Sequence, residues 1–143
     1  MPRYLVVAHR TLGGAALLEE VRRRLAAGDA SFHLVVPVTH PSDHVWTEGE
    51  IQAEARGKLE SGIAAFHALG ATTVTGEIGD VNPLHAVHMV LDRDDAFDEL
   101  IVSTLSAGPS RWLKLDVPSR LRKEMSIPVT HVIGDRETAV AEA

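Results

Sequence analysis

Residues 100–116 read Leu-Ile-Val-Ser-Thr-Leu-Ser-Ala-Gly-Pro-Ser-Arg-Trp-Leu-Lys-Leu-Asp, and this stretch decides the fold. It opens with an apolar run, residues 100–102, which is typical of a strand buried on both faces of a parallel sheet. Small and hydroxylated residues follow, and Pro109 suits the first position of a helix because its missing N–H leaves nothing unpaired there. A strand, a small-residue loop and a helix N-terminus can receive an anion, although many α/β proteins contain such a turn with nothing bound.

Segments of the same character lie on either side of this stretch. Residues 4–8, 31–38, 72–78 and 128–133 are predicted strands, so the chain has five with the one that begins at Leu100. Helices are predicted after Gly14, behind a capping box at residues 47–50, behind Asn82 and Pro83, and over residues 110–125. Alternating strands and helices indicate an α/β fold with an open, doubly wound, mostly parallel sheet and four main helices.

Bulk properties restrict the class of protein. The chain has 143 residues, of which 45% are apolar, so we expect one domain over residues 1–143, with residues 134–143 as a polar tail. The net charge of −6 argues against nucleic-acid binding, and the run of arginines at 22–24 is interpreted as a solvated helix face. The absence of cysteine, of a signal-peptide pattern and of a long apolar run predicts a soluble cytoplasmic protein that does not bind membranes.

In such sheets, ligands bind beyond the carboxyl ends of the strands, at the point where strand order reverses. The two most apolar runs begin at Tyr4 and Leu100, and we expect these strands to be neighbours in the middle of the sheet. The third and last strands are then the edges. The candidate ligand-binding residues are Ala8, His9, Arg10, Val36, Val38, Ser103, Thr104, Ser106, Ala107, Gly108, Ser110, Arg111, Leu115 and Asp116.

Several short motifs together resemble the universal stress protein (UspA-like) family of adenine-nucleotide-binding, flavodoxin-like α/β domains. They are the opening strand at 4–8, Leu-Gly-Ala at 69–71, Gly-Asp at 79–80 with Pro83, the segment 97–102, and Ile-Pro-Val at 127–129. The resemblance covers residues 3–133. It implies strand order 3-2-1-4-5 and a homodimer formed through the last strand.

The nucleotide signature of that family is altered here. ATP-binding members carry Gly-x-x-Gly after strand four, then nine residues, then Gly followed by Ser or Thr, and an Asp just after strand one. Thr104 and Ala107 occupy the first pair, Leu115 and Asp116 the second in a loop two residues shorter, and Arg10 the Asp position. Added bulk and a carboxylate near phosphate oppose ATP, and a guanidinium cannot accept hydrogen bonds from ribose. ATP or another nucleotide is therefore only a weak cofactor candidate.

The altered positions allow two interpretations. In one, Arg10 and Arg111 hold a different small anion with the hydroxyls of the loop and the helix N-terminus. In the other, Arg10 forms an ion pair with Asp116 and closes the pocket, because a buried charge needs a partner.

Other polar and aromatic residues give weaker signals. His40, Asp43 and His44 form a loop cluster, but a third and fourth metal ligand are not evident, so no metal site is predicted. His9 has no serine or cysteine nucleophile beside it in sequence, and we predict no catalytic residue. Trp46 and Trp112 are interpreted first as packing residues, with Trp46 as an alternative lid over the site.

The function that these observations favour is a non-catalytic, stress-response type of homodimeric protein that binds a nucleotide-like or small anionic ligand. One alternative is an enzyme that hydrolyses a nucleotide or transfers an adenylate, against which the missing glycines and the missing acidic pair for Mg²⁺ argue. The other alternative is a ligand-free interaction protein that keeps the fold and has lost the site.

Overall fold

The computed structural model describes residues 1–39, 45–94, 96–105, 112 and 115–134. In these ranges, five strands and four helices alternate along the chain. They are β1 (Arg3–Val7), α1 (Ala15–Ala26), β2 (Ser31–Pro37), α2 (Glu48–Ala68), β3 (Thr73–Gly79), α3 (Pro83–Arg93), β4 (Glu99–Leu105), α4 (Val117–Glu124) and β5 (Val129–Gly134).

The strands form one parallel sheet in the order β3-β2-β1-β4-β5. Strand β1 lies between β2 and β4, with Tyr4 opposite Phe32 on one side and Glu99 on the other. The predicted α/β class, strand order and central pair are thus confirmed. Strand order reverses between β1 and β4, so the carboxyl ends of these two strands form the crevice in which ligands bind in sheets of this kind.

Two apolar cores cover the two faces of the sheet. Val6 of β1 and the following Ala8 point into the core that contains α1 and α2, whereas Leu5 and Val7 point into the core that contains α3 and α4. These four side chains have no exposed surface. A strand buried on both faces needs an unbroken apolar sequence, and this explains why β1 lacks the alternation of a half-exposed strand.

Local sequence signals set the starts of α2 and α3. The Thr47 hydroxyl accepts from the backbone N–H of Glu50, and the Glu50 carboxylate accepts from the N–H of Thr47, so the predicted capping box is confirmed. Asn82 caps α3 by accepting from the N–H groups of Leu84 and His85. The Asn82 cap fixes the place where α3 begins, a short turn after the carboxyl end of β3.

The fourth helix differs from its prediction. A single helix over residues 110–125 is wrong at Leu115 and Asp116, which form a turn, and α4 begins at Val117. Asp116 has φ 56° and ψ 38°, a left-handed conformation that interrupts a right-handed helix and that aspartate tolerates better than most residues. The predicted helix start at Pro109 lies outside the described residues.

The arginine run on α1 is only partly the solvated face that was predicted. Arg22 and Arg23 are exposed, but Arg24 is partly buried and its guanidinium bonds Glu20 at 2.8 Å and Glu99 at 2.5 Å. The same guanidinium lies 5.0 Å from the ring centre of Tyr4. Arg24 therefore ties α1 to β1 and β4, a role set by partners that are distant in the sequence.

None of the helices that the structure describes has the length and apolar character needed to cross a bilayer.

Candidate functional site

A cavity of about 490 Å³ opens at the carboxyl ends of β1 and β4, where strand order reverses. This volume falls within the range of about 300–1,000 Å³ that is usual for small-molecule sites. The wall includes chain from the ends of β1, β2 and β4 and from the first turns of α3 and α4. Its residues are His9, Arg10, Thr11, Val38, Thr39, Val81, Asn82, Pro83, Leu84, Ser103, Thr104, Leu105, Trp112, Leu115, Val117 and Arg120.

The charge of this wall is positive. Arg10, just after β1, is exposed, and Arg120 of α4 keeps 54% of its side chain exposed, with the Glu124 carboxylate 4.0 Å away. Among the described wall residues, none carries a carboxylate. Two guanidiniums without a neighbouring acid in the wall favour an anionic ligand.

Two helices point their N-termini at the same cavity. Asn82, Pro83 and Leu84 bring the start of α3 into the wall, and Leu115 and Val117 bring the start of α4. Each N-terminus carries about half a positive charge from the aligned peptide dipoles. At α4 the Asp116 side chain makes no capping hydrogen bond, so the first turn of this helix is not neutralised by its own N-cap residue.

Hydroxyl groups occupy the floor of the cavity. The hydroxyls of Thr11 and Ser103 lie 2.5 Å apart and tie the segment after β1 to β4. The Thr104 hydroxyl lies 2.7 Å from Nε2 of His131 on β5. Burial, and then Arg122, hold the pKa of His131 below its usual value, so this ring is neutral at pH 7. Both hydroxyls of β4 are therefore held in place by hydrogen-bond partners, Ser103 by Thr11 of the same wall and Thr104 by His131 of β5.

His9 is a buried histidine in the wall, with 6% of its surface exposed. Its Nε2 lies 2.9 Å from the Glu54 carboxylate, and its Nδ1 has no hydrogen-bond partner. Burial lowers the pKa of His9, and the neighbouring Glu54 offsets this only in part. An unpaired buried polar atom costs about 1–3 kcal/mol, so a hydrogen-bond donor placed at this nitrogen would be favourable.

The remaining wall is apolar. Buried Leu84, Leu105 and Val117 lie beside the partly buried Trp112 indole, while Val81 keeps 47% of its surface exposed at the rim. Such a surface suits the ring or hydrocarbon part of a ligand whose charged part contacts the arginines.

The predicted site residues fall into three groups in the structure. Ala8 and Val36 are fully buried in the core rather than in the wall, and Asp116 is exposed between two wall residues. Ser106, Ala107, Gly108, Ser110 and Arg111 lie outside the described residues. Those that the fold brings together around the cavity are His9, Arg10, Val38, Ser103, Thr104 and Leu115.

The suggested closure of the pocket by Arg10 and Asp116 is not observed. Both residues are described, and the structure contains no ion pair between them. Arg10 lines the cavity, whereas Asp116 does not. The guanidinium of Arg10 is therefore available to a ligand.

Sequence reasoning missed the contributions of the start of α3 and of Arg120. Val81, Asn82 and Pro83 follow a strand, and the rule that all carboxyl ends of a parallel sheet share one edge was a signal that could have placed them at the site. Arg120 lies three residues after Val117 on α4, so helical spacing places both on one face.

The residues considered as metal ligands belong to a different segment of the sequence. His40, Asp43 and His44 lie outside the described residues. Within the ranges that are described, no group of three histidine, aspartate or glutamate side chains is arranged to hold a metal ion.

No protein-family model and no curated protein matches the sequence. Several solved structures match the fold, and three of them each align with 92% of this chain. A universal stress protein in complex with cAMP aligns with a TM-score of 0.63 at 18% identity over 96% of its length. A universal stress protein from Archaeoglobus fulgidus in complex with dAMP aligns with a TM-score of 0.62 at 13% identity over 97% of its length. A further universal stress protein structure from that organism aligns with a TM-score of 0.56 at 14% identity over 93% of its length. The chain therefore has the fold of the universal stress proteins.

Proposed function

We propose that the protein binds a small anionic, nucleotide-like ligand in the cavity at the carboxyl ends of β1 and β4, without chemical turnover. The observation that carries this proposal is the convergence of Arg10, Arg120 and two helix N-termini on a cavity whose described wall contains no carboxylate. Charge-assisted hydrogen bonds from guanidinium to phosphate or carboxylate are among the strongest in proteins.

The structural neighbours support the nucleotide-like part of the proposal. Two of them were solved in complex with cAMP and dAMP, which each carry one phosphate group. The two guanidiniums of the described wall can both bind one such phosphate group. The apolar wall around Trp112 and Leu105 offers a surface for a base.

Other features support binding rather than catalysis. The floor hydroxyls are engaged by each other or by His131, and the wall that is described lacks the carboxylates that a Mg²⁺-dependent phosphoryl transfer needs. The enzyme alternative therefore has no supporting observation beyond the location of the cavity. The ligand-free alternative is opposed by the open cavity and by Arg10, which has no ion pair with Asp116.

We expect isothermal titration to detect AMP binding and to show weaker binding of ATP. The additional phosphates of ATP would extend beyond the two guanidiniums toward the exposed Asp116, which lies in the sequence between the wall residues Leu115 and Val117. Two unit charges about 8 Å apart repel by roughly 2 kcal/mol at an effective dielectric constant near 20, and salt halves this. A penalty of about 1 kcal/mol corresponds to about fivefold weaker binding.

Adenosine and inorganic phosphate are the matched controls, since each contains one half of AMP. Both should bind at least tenfold more weakly than AMP if the cavity holds the base and the phosphate together. Equal affinity for AMP and adenosine would contradict the role of the arginines, and chromatographic detection of a product from ATP would contradict the absence of turnover.

We also propose that the protein forms a homodimer through the edge strand β5. Among the described strands, β5 pairs only with β4, and Ile133 of β5 keeps 53% of its surface exposed. An unpaired edge with an exposed apolar side chain favours pairing with a second copy, and a two-fold axis makes such an interface self-complementary.

Light scattering during size exclusion should give twice the chain mass of 15.4 kDa, independent of dilution in the micromolar range. Ile133→Lys should give the single-chain mass, because two lysines would meet at the two-fold axis. Met89→Lys is the matched control, since Met89 is 51% exposed on α3. A wild-type chain that elutes as a monomer would rule the interface out.

A further inference from the structure

Among the described residues, two buried side-chain atoms lack a hydrogen-bond partner, Nδ1 of His9 and Oγ1 of Thr39. We call these two atoms the unpartnered pair. Both residues belong to the wall of the same cavity. Buried polar groups in folded proteins are almost always paired, so two exceptions in one wall mark a place where a partner is supplied from outside the fold.

The protonation state of His9 follows from its other nitrogen. Nε2 lies 2.9 Å from Oε1 of Glu54, and a carboxylate can only accept a hydrogen bond. Nε2 must therefore carry the proton when the ring is neutral. Nδ1 is then a bare lone pair that can only accept, which restricts its missing partner to an N–H or O–H group.

Arg10 follows His9 in the sequence and also lines the cavity, but its guanidinium can only donate hydrogen bonds. His9 thus offers an acceptor to the cavity, and the Thr39 hydroxyl, which belongs to the same wall, can both donate and accept. The arginines favour a ligand that carries a negative charge at one point. The unpartnered pair favours a hydrogen-bond donor at another point of the same ligand.

We propose that His9 and Thr39 form a subsite for a donor group of the ligand, so that the cavity selects anions that also carry a hydroxyl or amino group. The inference rests on the proposed function and deepens it. A nucleoside monophosphate meets both requirements, through its phosphate and through its ribose hydroxyls or exocyclic amine. A phosphate ester without a donor group meets only the first.

The test compares three probes by isothermal titration: AMP, 2′,3′-dideoxyadenosine 5′-monophosphate, which lacks both ribose hydroxyls, and purine riboside 5′-monophosphate, which lacks the amine. One of the two analogues should bind at least tenfold more weakly than AMP, because it leaves the unpartnered pair unsatisfied. In His9→Phe, which keeps an aromatic ring but has no acceptor, this difference should fall below about threefold. His67→Phe, the same exchange at an exposed site on α2, should keep the wild-type difference.

A second readout needs no ligand and no variant of His9. Nitrogen-15 NMR correlation of the histidine rings should show His9 with the proton on Nε2 and a bare Nδ1. Glu54→Gln should give a mixture of both tautomers, because an amide can present either its oxygen or its nitrogen to the ring. A wild-type ring with its proton on Nδ1 would overturn the proposal whatever the titrations give.

The preference should also depend on pH in a stated direction. Burial lowers the pKa of His9, Glu54 of α2 raises it in part, and the positive charges of Lys58 on α2 and of the adjacent Arg10 lower it further. The ring is thus neutral near pH 7, and the ratio of AMP to analogue affinity should decline only as the pH falls through this lowered pKa. Because all three probes share the same phosphate, its own titration cancels in the ratio.

The outcomes separate the two proposals. If AMP and both analogues bind the wild type equally, the subsite is wrong and the proposed function stands. If none of the nucleotides binds, the proposed function fails and the subsite fails with it.

Discussion

Replacing Arg10 and Arg120 together by glutamine is expected to weaken AMP binding about a hundredfold. These two side chains supply the positive charge of the described wall, and both can donate in pairs to a phosphate. A hydrogen bond to a charged group contributes about 1.5–3 kcal/mol, and their partial exposure places each arginine near the lower end of that range. A total of about 3 kcal/mol corresponds to roughly two orders of magnitude in affinity.

The matched control is the double exchange Arg22→Gln with Arg23→Gln. It removes the same net charge from exposed positions on α1, whose side chains are 63% and 65% exposed. AMP affinity of this control should stay within about twofold of wild type, since distant exposed charges are screened by salt. Unchanged AMP affinity in Arg10→Gln/Arg120→Gln would move the ligand site away from this cavity.

Phe66→Ala is expected to lower the free energy of unfolding by about 3–5 kcal/mol, a large part of the 5–15 kcal/mol that a domain usually has. Phe66 of α2 has no exposed surface, and its ring meets Phe32 edge to face with centroids 5.4 Å apart. Phe32 in turn lies 5.4 Å from Tyr4. Removing Phe66 leaves a cavity at the centre of one core, and the better helix propensity of alanine returns only about 0.5 kcal/mol.

Urea denaturation followed by circular dichroism measures this loss as a lower midpoint at constant slope. Phe66→Leu is the companion variant, because it keeps most of the volume and should cost less than about 1.5 kcal/mol. A loss below 1 kcal/mol for Phe66→Ala would show that α2 is not anchored at this point.

Much of the fold could be predicted because its signals are local. The unbroken apolar runs at the start of the chain and at residues 100–102 identified the central strands, and Thr47 and Asn82 marked two helix starts correctly. The turn before α4 was missed because a helical spacing of apolar residues continues through it. The left-handed backbone conformation of Asp116 cannot be recognised from the spacing of apolar residues.

The site was predictable only where it follows the central strands. Arg10, Ser103 and Thr104 line the cavity, and the sequence indicated this location because they follow or end apolar runs; their role in binding stays a prediction. The places of Arg120 and of the start of α3 at the cavity depend on how the connections between strands pack on the sheet. The role of Arg24 depends on its ion pair with Glu99, which is 75 residues away in the sequence. The cytoplasmic location, the stress response and the homodimer stay predictions.

The position of β1 at the centre of the sheet has a consequence for how the chain folds during synthesis. Tyr4 is made 95 residues before its partner Glu99, and the strands between them complete only one side of β1. Until β4 emerges from the ribosome, the apolar strand edge that includes Leu5 and Val7 stays open to other chains. Pairings between residues so far apart slow folding, so a chain stalled within α3 should aggregate, whereas one released after β5 should fold.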